Sequence, residues 1–214
     1  MRIRIILAAA AVPAALAASL FGATAASAAS KPNPNPNLNS VIEVASQDEL
    51  NALVAQGPIG KNIDVPAGKD LKLEWATVNG NVTVEGHLSM AADVVNGNVT
   101  VTGSGTGDID GSGLTLYNGA SHITGNLTVT GSGGYWAGNA YGNALFDNAT
   151  QYGPDAATAG GTSQIDGGLA FQNNAGALYV GGPMHVAGKF TASGNDMTHW
   201  TPDGLTVSGK QVIS

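Results

Sequence analysis

A seven-residue phrase recurs along this chain, and its spacing strongly limits the folds that the chain can adopt. In each copy a glycine follows an apolar residue by two positions, and two further apolar residues, separated by one residue, close the phrase. Clear copies are residues 78–84, 95–101 and 123–129, and looser copies are residues 165–171 and 180–186. Short strands and glycine turns that repeat in this way are typical of a β-solenoid, in which each repeat packs on its neighbours.

The spacing of the copies predicts how the strands connect. The first two copies begin at Val78 and Val95, the last two begin at Ile165 and Val180, and the longer interval after Val95 has room for a degenerate copy at residues 109–116. These positions imply that each full turn of the solenoid takes about 14 to 17 residues. Such a turn is too short to contain a βαβ crossover, and it suits three short strands joined by tight loops. We therefore predict an all-β chain, a right-handed parallel β-helix, rather than a sandwich or a meander.

The alternation within each phrase predicts which side chains form the core. We expect the closing apolar residues to point inward and the polar residues between them to point outward. The predicted inward residues are Val82, Val84, Val99, Val101, Leu127 and Val129. The predicted outward residues are Asn81, Thr83, Asn98, Thr100, Thr102, Asn126, Thr128 and Thr130. Stacked asparagines would stabilise the solenoid, whereas rows of threonine would also suit ice binding.

The N-terminal residues have the pattern of a secretory signal peptide. Arg2 and Arg4 precede an apolar, alanine-rich stretch that ends in a small-residue cleavage site at Ala26-Ser27-Ala28. We therefore predict a signal peptide over residues 1–28, a Pro/Asn-rich linker over residues 29–40 and one domain over residues 41–214. The expected localisation is secreted and extracellular, without a membrane anchor.

Composition excludes nucleic acid as a partner. The chain has 8 Lys+Arg and 15 Asp+Glu, and both arginines precede residue 28, so the mature chain has six lysines and a formal charge of 6 − 15 = −9. An acidic surface without arginine repels phosphate backbones and lacks the bidentate donor that reads guanine. The chain also has no cysteine, so packing or metal binding must supply the stability that disulfides give many exported proteins.

Residues 41–73 predict how the N-terminal end of the solenoid is closed. A short strand precedes the capping box Ser46-Gln47-Asp48-Glu49, an amphipathic helix over about residues 47–56, and the helix stop Gly57-Pro58. This segment, VIEVASQDELNALVAQGPIGKNIDVPAGKDLKL, resembles the opening of secreted right-handed parallel β-helices of the pectin-lyase-like superfamily. The resemblance implies a short N-terminal capping α-helix. The glycine phrases are also similar in pattern to bactofilin-type polymerising β-helices.

Departures from the enzymes of that superfamily favour a non-catalytic role. Its lyases use an arginine base and its polygalacturonases use clustered aspartates with a Gly-His-Gly motif, and the mature chain has neither. We therefore expect an extracellular structural or carbohydrate-binding module that engages polysaccharide or cell wall. A small lyase or glycosidase that uses Asp108, Asp110 or Asp166 stays open. An ice-binding solenoid stays open too, as does one that associates end to end through a C-terminal end without a polar cap.

Two groups of residues are the sequence's candidate ligand sites. An aromatic-rich insertion at about residues 131–162 contains Tyr135, Trp136, Tyr141 and Tyr152. These side chains would suit stacking on sugar rings, or would fold over the flank of the solenoid as a satellite hydrophobic cluster. Asp108, Asp110 and Ser112 offer oxygen ligands at alternating positions among glycines, as Ca²⁺ prefers, although Asp-Gly and Gly-Ser are also ordinary turn sequences. The four histidines have no zinc-site spacing, and we expect them at the surface or at strand edges.

Overall fold

The described part of the chain is an all-β structure with one helix. The computed structural model describes residues 40–102, 113–117, 120–131, 144–147, 162–174, 178–180, 183–195, 200–201 and 204–214. These residues form twenty strands, arranged in three parallel sheets, and helix α1 (Gln47–Val54). No helix among them is long and apolar enough to cross a membrane.

From β2 onward, each sheet collects every third strand. Sheet 1, which has eight strands, contains β1 (Val41–Glu43), β2 (Asn62–Val65), β5 (Val82–Val84), β8 (Val99–Thr102), β11 (Leu127–Thr130), β14 (Leu169–Gln172), β17 (Phe190–Ser193) and β20 (Gln211–Ile213). Sheet 2 contains β3 (Asp70–Glu74), β6 (His87–Ala91), β9 (Gly113–Tyr117), β12 (Ala144–Asp147), β15 (Leu178–Val180) and β18 (Trp200–Thr201). Sheet 3 contains β4 (Thr77–Val78), β7 (Val94–Val95), β10 (His122–Ile123), β13 (Ser163–Ile165), β16 (Met184–Val186) and β19 (Leu205–Val207).

The connections from sheet 3 to sheet 1 have a constant length, whereas those into and out of sheet 2 vary in length. From β2 onward the chain visits sheets 1, 2 and 3 in an unvarying order. Each passage from sheet 3 to sheet 1 takes three residues, and these are residues 79–81, 96–98, 124–126, 166–168, 187–189 and 208–210. The passages into and out of sheet 2 range from two residues to fifteen. Differences in the length of a turn are therefore confined to the sheet 2 side.

The apolar core is continuous along the three sheets, as the alternation predicts. The predicted inward valines and leucines of β5, β8 and β11 are all buried, at 1% exposure or less. Leu88 and Met90 of sheet 2 and Val95 of sheet 3 join the same cluster. The outward threonines between the buried residues are partly exposed, and Thr83 and Thr128 both pair in register with Thr100. The predicted inward and outward faces of these strands are confirmed.

Register corrects the looser copy at residues 180–186 and the degenerate copy at residues 109–116. In the clear copies the first residue lies in sheet 3 and the closing pair in sheet 1, but Val180 lies in sheet 2 and Met184 in sheet 3. The copies that continue the pattern are instead residues 186–192 and 207–213. Likewise Leu114 pairs with Leu88 of sheet 2, so residues 109–116 are not an extra copy. Spacing alone does not distinguish the three sheets, which is why both predictions were wrong.

The turns are also longer than predicted in places. Val95 pairs directly with Ile123, and Ile123 pairs directly with Ile165, so one turn takes 28 residues and the next takes 42. The later turns, from Ile165 to Val186 and from Val186 to Val207, take 21 residues each. The predicted uniform turn length holds only for the early part of the chain.

Helix α1 begins as the capping box predicts and covers one sheet edge. The Ser46 hydroxyl accepts a hydrogen bond from the Glu49 backbone N–H at 3.3 Å, and the Glu49 carboxylate accepts one from the Ala45 N–H at 3.0 Å. Leu50 is buried in the core. The helix packs beside β3, the edge strand of sheet 2, and so places its polar side chains against that edge.

Candidate functional site

The seven ligand-site residues predicted from the sequence lie outside the described residues. Tyr135, Trp136, Tyr141 and Tyr152 of the predicted insertion are among them, as are Asp108, Asp110 and Ser112 of the predicted calcium site. The structure does describe the middle of the insertion, where β12 pairs with β9 and β15 in sheet 2. The predicted insertion at residues 131–162 is therefore two segments separated by a strand of sheet 2.

A surface groove lies where helix α1 meets the edge of sheet 2. Its volume is about 380 Å³, and its walls are Gln47, Asn51, Val54, Lys72, Glu74 and Trp75. The walls combine an aromatic ring, two side-chain amides, a cation and a carboxylate. Sugars present both flat C–H faces and hydroxyl groups, so this combination of groups suits a carbohydrate.

Gln47 fixes one wall of the groove by pairing with β3. Its amide oxygen accepts from the Lys72 backbone N–H at 2.7 Å, and its amide nitrogen donates to the Lys72 carbonyl at 2.8 Å. The same nitrogen also donates to the Asn51 amide oxygen at 2.9 Å. The side chain thus occupies the hydrogen-bonding position of a further strand and closes the edge of sheet 2 at this residue.

Trp75 is both highly exposed and conformationally unusual. The residue is 77% exposed, and its backbone φ is +55°, in the left-handed region. Ala92, which follows β6 as Trp75 follows β3, also has a positive φ, at +56°. A large non-glycine residue in this region costs roughly 1–2 kcal/mol. Burial of the indole does not offset that cost, and strain of this kind clusters at binding and catalytic sites.

The turn that presents Trp75 is held by a buried carboxylate. Asp93 is 0% exposed, and its two oxygens accept from the Ala76 N–H at 2.7 Å and from the Ala91 N–H at 2.8 Å. Ala76 directly follows Trp75, so Asp93 links the turn after β3, which contains Trp75, to the turn after β6, which contains Asp93 itself. The Asp93 N–H donates in turn to the Ser121 hydroxyl at 3.3 Å. The indole is therefore mounted on a fixed turn of the backbone.

Burial raises the pKa of Asp93 to about 7 from its ordinary 3.8. Desolvation is the largest cause, and the negative charge of Glu74 raises the pKa further, while the N–H groups of Ala76 and Ala91 act in the opposite direction. The Asp93 carboxyl group therefore titrates near neutral pH.

The outer face of sheet 2 also holds a chain of polar side chains. The Asp70 carboxylate lies 2.8 Å from Nδ1 of His87, and Nε2 of His87 lies 2.9 Å from the Thr115 hydroxyl. His122 of sheet 3 lies 3.0 Å from the Asp166 carboxylate but is misaligned for a hydrogen bond. His185 contacts the Ser208 hydroxyl at 2.8 Å. His199 is outside the described residues; the other three are at least partly exposed, as predicted.

The three-residue passages from sheet 3 to sheet 1 form a constant corner of the fold. Asparagine side chains in this corner accept hydrogen bonds from backbone N–H groups of the following turn. The Asn62 side-chain oxygen accepts from the Asn81 backbone N–H, and Asn81, Asn98 and Asn126 each accept in the same way from the next turn, at 2.8–2.9 Å. The predicted hydrogen-bonded stacking of the asparagines is confirmed. No group of three or more His, Asp or Glu among the described residues is arranged to hold a metal ion.

A scan against protein-family models and searches of curated proteins and of solved structures found no match for this chain.

Sequence reasoning missed Trp75 and Asp93, although each left a signal. Trp75 directly follows the alternating strand Asp70–Glu74, at the position where such a strand must turn, and turns rarely employ a large aromatic residue. Asp93 is an isolated acid between Ala92 and the strand residue Val94. Only the pairing of β4 with β7 shows that Asp93 lies beside the Trp75 turn.

Proposed function

We propose that the chain is a secreted right-handed parallel β-helix that binds extracellular polysaccharide through the Trp75 groove. The unvarying order of sheets 1, 2 and 3 supports the β-helix, because parallel crossover connections are almost always right-handed. The predicted signal peptide supports secretion. The pectin-lyase-like superfamily is the proposed fold relative, on the resemblance of residues 41–73.

The exposed, left-handed Trp75 is the observation that most favours binding. An exposed indole offers a flat apolar face that stacks on the C–H face of a pyranose. The adjoining Asn51 amide, Lys72 ammonium and Glu74 carboxylate supply the mix of donor and acceptor groups that sugar hydroxyls need.

The aromatic segments are a second part of this proposal. One segment precedes β12 in the chain and the other follows it. We propose that Tyr135, Trp136, Tyr141 and Tyr152, which suit stacking on sugar rings, also contact the polysaccharide.

A substitution that relieves strain while removing the indole tests the proposal. Trp75→Asn places a residue that tolerates a positive φ in the turn, so the melting temperature should stay the same or rise. Affinity for the polysaccharide bound by the unaltered mature chain should fall at least 10-fold, because stacking of the sugar is lost. A pull-down panel of insoluble and soluble polysaccharides, with and without calcium, identifies the ligand, and fluorescence titration gives the affinities.

Ala92→Asn is the matched control, because it changes the equivalent left-handed residue one turn further along without touching the groove. It should bind as the unaltered protein does. Trp136→Ala separately measures the contribution of the aromatic segments. Absence of binding across the panel, or full binding by Trp75→Asn, would refute the role of the groove.

The outer face of sheet 1 favours a second candidate function, ice binding. Thr83, Thr100 and Thr128 pair in register, and Thr102 pairs with Thr130, so two rows of hydroxyls run across strands spaced about 4.8 Å apart. Regular hydroxyl spacing on a flat face can order water. Thermal hysteresis that Thr100→Tyr abolishes would establish this function, and its absence in the unaltered protein would exclude it.

A further inference from the structure

We propose that Asp70, His87 and Thr115 form a catalytic centre on the outer face of sheet 2 that hydrolyses small carboxylic esters. The centre lies on strands β3, β6 and β9, which are neighbours in the sheet. The contacts that define this centre do not depend on the carbohydrate-binding proposal. The natural substrate suggested below does rest on that proposal.

The contacts of His87 determine the roles of the three residues. A carboxylate only accepts hydrogen bonds, so Asp70, 2.8 Å away, selects the His87 tautomer with its proton on Nδ1. Nε2 then has a free lone pair and accepts the Thr115 hydroxyl proton at 2.9 Å. This order of carboxylate, imidazole and hydroxyl is the arrangement that activates a hydroxyl nucleophile.

The other described histidines show that this order is not a general property of the surface. His122 lies near a carboxylate, Asp166, and His185 contacts a hydroxyl, that of Ser208. Of the three histidines that the structure describes, His87 is the one with a carboxylate at one ring nitrogen and a hydroxyl at the other.

The register of sheet 2 explains how the imidazole reaches Thr115. Gly113 is the partner of His87 on β9, and because it has no side chain it leaves the ring room to extend toward Thr115, two residues along. The side chains of His87 and Asp70 are 25% and 54% exposed, so a substrate can approach while part of the centre is shielded from water.

Two further polar residues share the row of Thr115. Lys72, Ser89 and Thr115 are partners across β3, β6 and β9. Ser89 is 7% exposed although it alternates with the inward Leu88 and Met90, so the face is sheltered at this point. The Ser89 hydroxyl and the Lys72 ammonium group are donors that can stabilise negative charge developing on a substrate bound beside Thr115.

The reaction follows from these roles. Thr115 Oγ attacks the ester carbonyl carbon as His87 Nε2 takes the hydroxyl proton, and collapse of the tetrahedral intermediate breaks the bond to the alcohol oxygen. His87 returns the proton to that oxygen, and an acyl group remains on Thr115. Water, deprotonated by His87, then releases the acid and restores the Thr115 hydroxyl, so that ester and water become acid and alcohol.

The surface position of the centre limits the substrate to a small acyl group. Among the described residues, the outer face of sheet 2 offers no deep acyl pocket beside the centre, and Lys72 belongs both to the Thr115 row and to the wall of the Trp75 groove. If the groove binds polysaccharide as proposed, the substrate class is an O-acyl ester on a sugar hydroxyl.

Hydrolysis of p-nitrophenyl acetate by the full mature chain tests the centre without requiring carbohydrate. Thr115→Val, which keeps the side-chain shape, should reduce turnover to the buffer rate, and His87→Gln should reduce kcat at least 100-fold. Asp70→Asn should lower kcat at least 10-fold with KM unchanged, because Asp70 positions the imidazole. Nitrogen-15 NMR should show the ring proton leaving Nδ1 in this variant, a change that a purely structural role would not produce.

The matched controls are His122→Gln and His185→Gln, which should keep full turnover. A fluorophosphonate probe should label Thr115, located by mass spectrometry, and this readout needs no folded Thr115→Val. Buffer-level turnover by the unaltered protein, or turnover that survives His87→Gln, would overturn the proposal. Hydrolysis of p-nitrophenyl acetate needs no bound carbohydrate, so failure of the binding site and failure of the catalytic centre are distinguishable.

Discussion

Replacing Asp93 with asparagine should remove a step in the pH dependence of stability. The folded state holds the Asp93 pKa at about 7, against 3.8 for the ordinary group, so the folded protein binds a proton that the unfolded chain has released. Stability from this group is therefore fully present below about pH 4 and is lost as the pH rises through 7. The neutral amide of Asp93→Asn does not titrate.

The size of the step follows from the shift in pKa. A difference of one unit corresponds to about 1.36 kcal/mol, so the carboxylate contributes a change of about 4 kcal/mol across the window. For a domain of this size, such a change in the free energy of unfolding shifts the melting temperature by about 8–16 °C. At low pH the variant should be less stable than the unaltered protein by about 1–3 kcal/mol, because its NH₂ group leaves one of the Ala76 and Ala91 N–H groups without an acceptor.

Thermal unfolding from pH 4 to pH 8, followed by circular dichroism, measures both effects. The difference in stability between the unaltered protein and Asp93→Asn should shrink or reverse as the pH rises. The exposed Asp166→Asn is the control and should preserve the step. A stability difference that grows with pH would show that the two backbone N–H donors outweigh burial, and so would refute the reasoning.

Two other substitutions test how polar side chains complete the sheets. Gln47→Ala should lower the free energy of unfolding by about 1–2 kcal/mol and should increase aggregation, measured by light scattering, because it uncovers the Lys72 backbone at a sheet edge. The control Gln56→Ala should have neither effect. Asn98→Ala should cost about 1 kcal/mol in chemical denaturation, because the Asn126 N–H loses its acceptor; an unchanged midpoint would show that solvent replaces the bond.

Much of the strand pattern could be predicted because it depends on local alternation. Val82 and Val84 were expected inside and Thr83 outside, and strand geometry alone requires that arrangement. The copy at Val180 was misplaced because its glycine spacing fits the phrase although its strands belong to other sheets. Periodicity gives the faces of a strand, whereas the identity of its sheet depends on pairings between residues far apart in sequence.

The candidate sites were harder to predict because they combine residues from different turns. Asp70, His87 and Thr115 are separated by 17 and 28 residues, and only the pairing of β3, β6 and β9 brings them together. Trp75 stands alone in the sequence, whereas the aromatic cluster at residues 131–162 gives a stronger compositional signal. A single residue becomes informative only when its backbone conformation and exposure are known.

The constant corner between sheets 3 and 1 makes this chain a natural display scaffold. Because three residues set the position of each new turn there, and an asparagine hydrogen bond adds to this at the first four corners, foreign segments could be inserted beside sheet 2 without shifting the register. Doubling the length of a flexible loop costs only about 0.6 kcal/mol of closure entropy. The chain itself accommodates passages of two and of fifteen residues around this sheet, and a peptide library cloned at residues 148–162 would use the same tolerance.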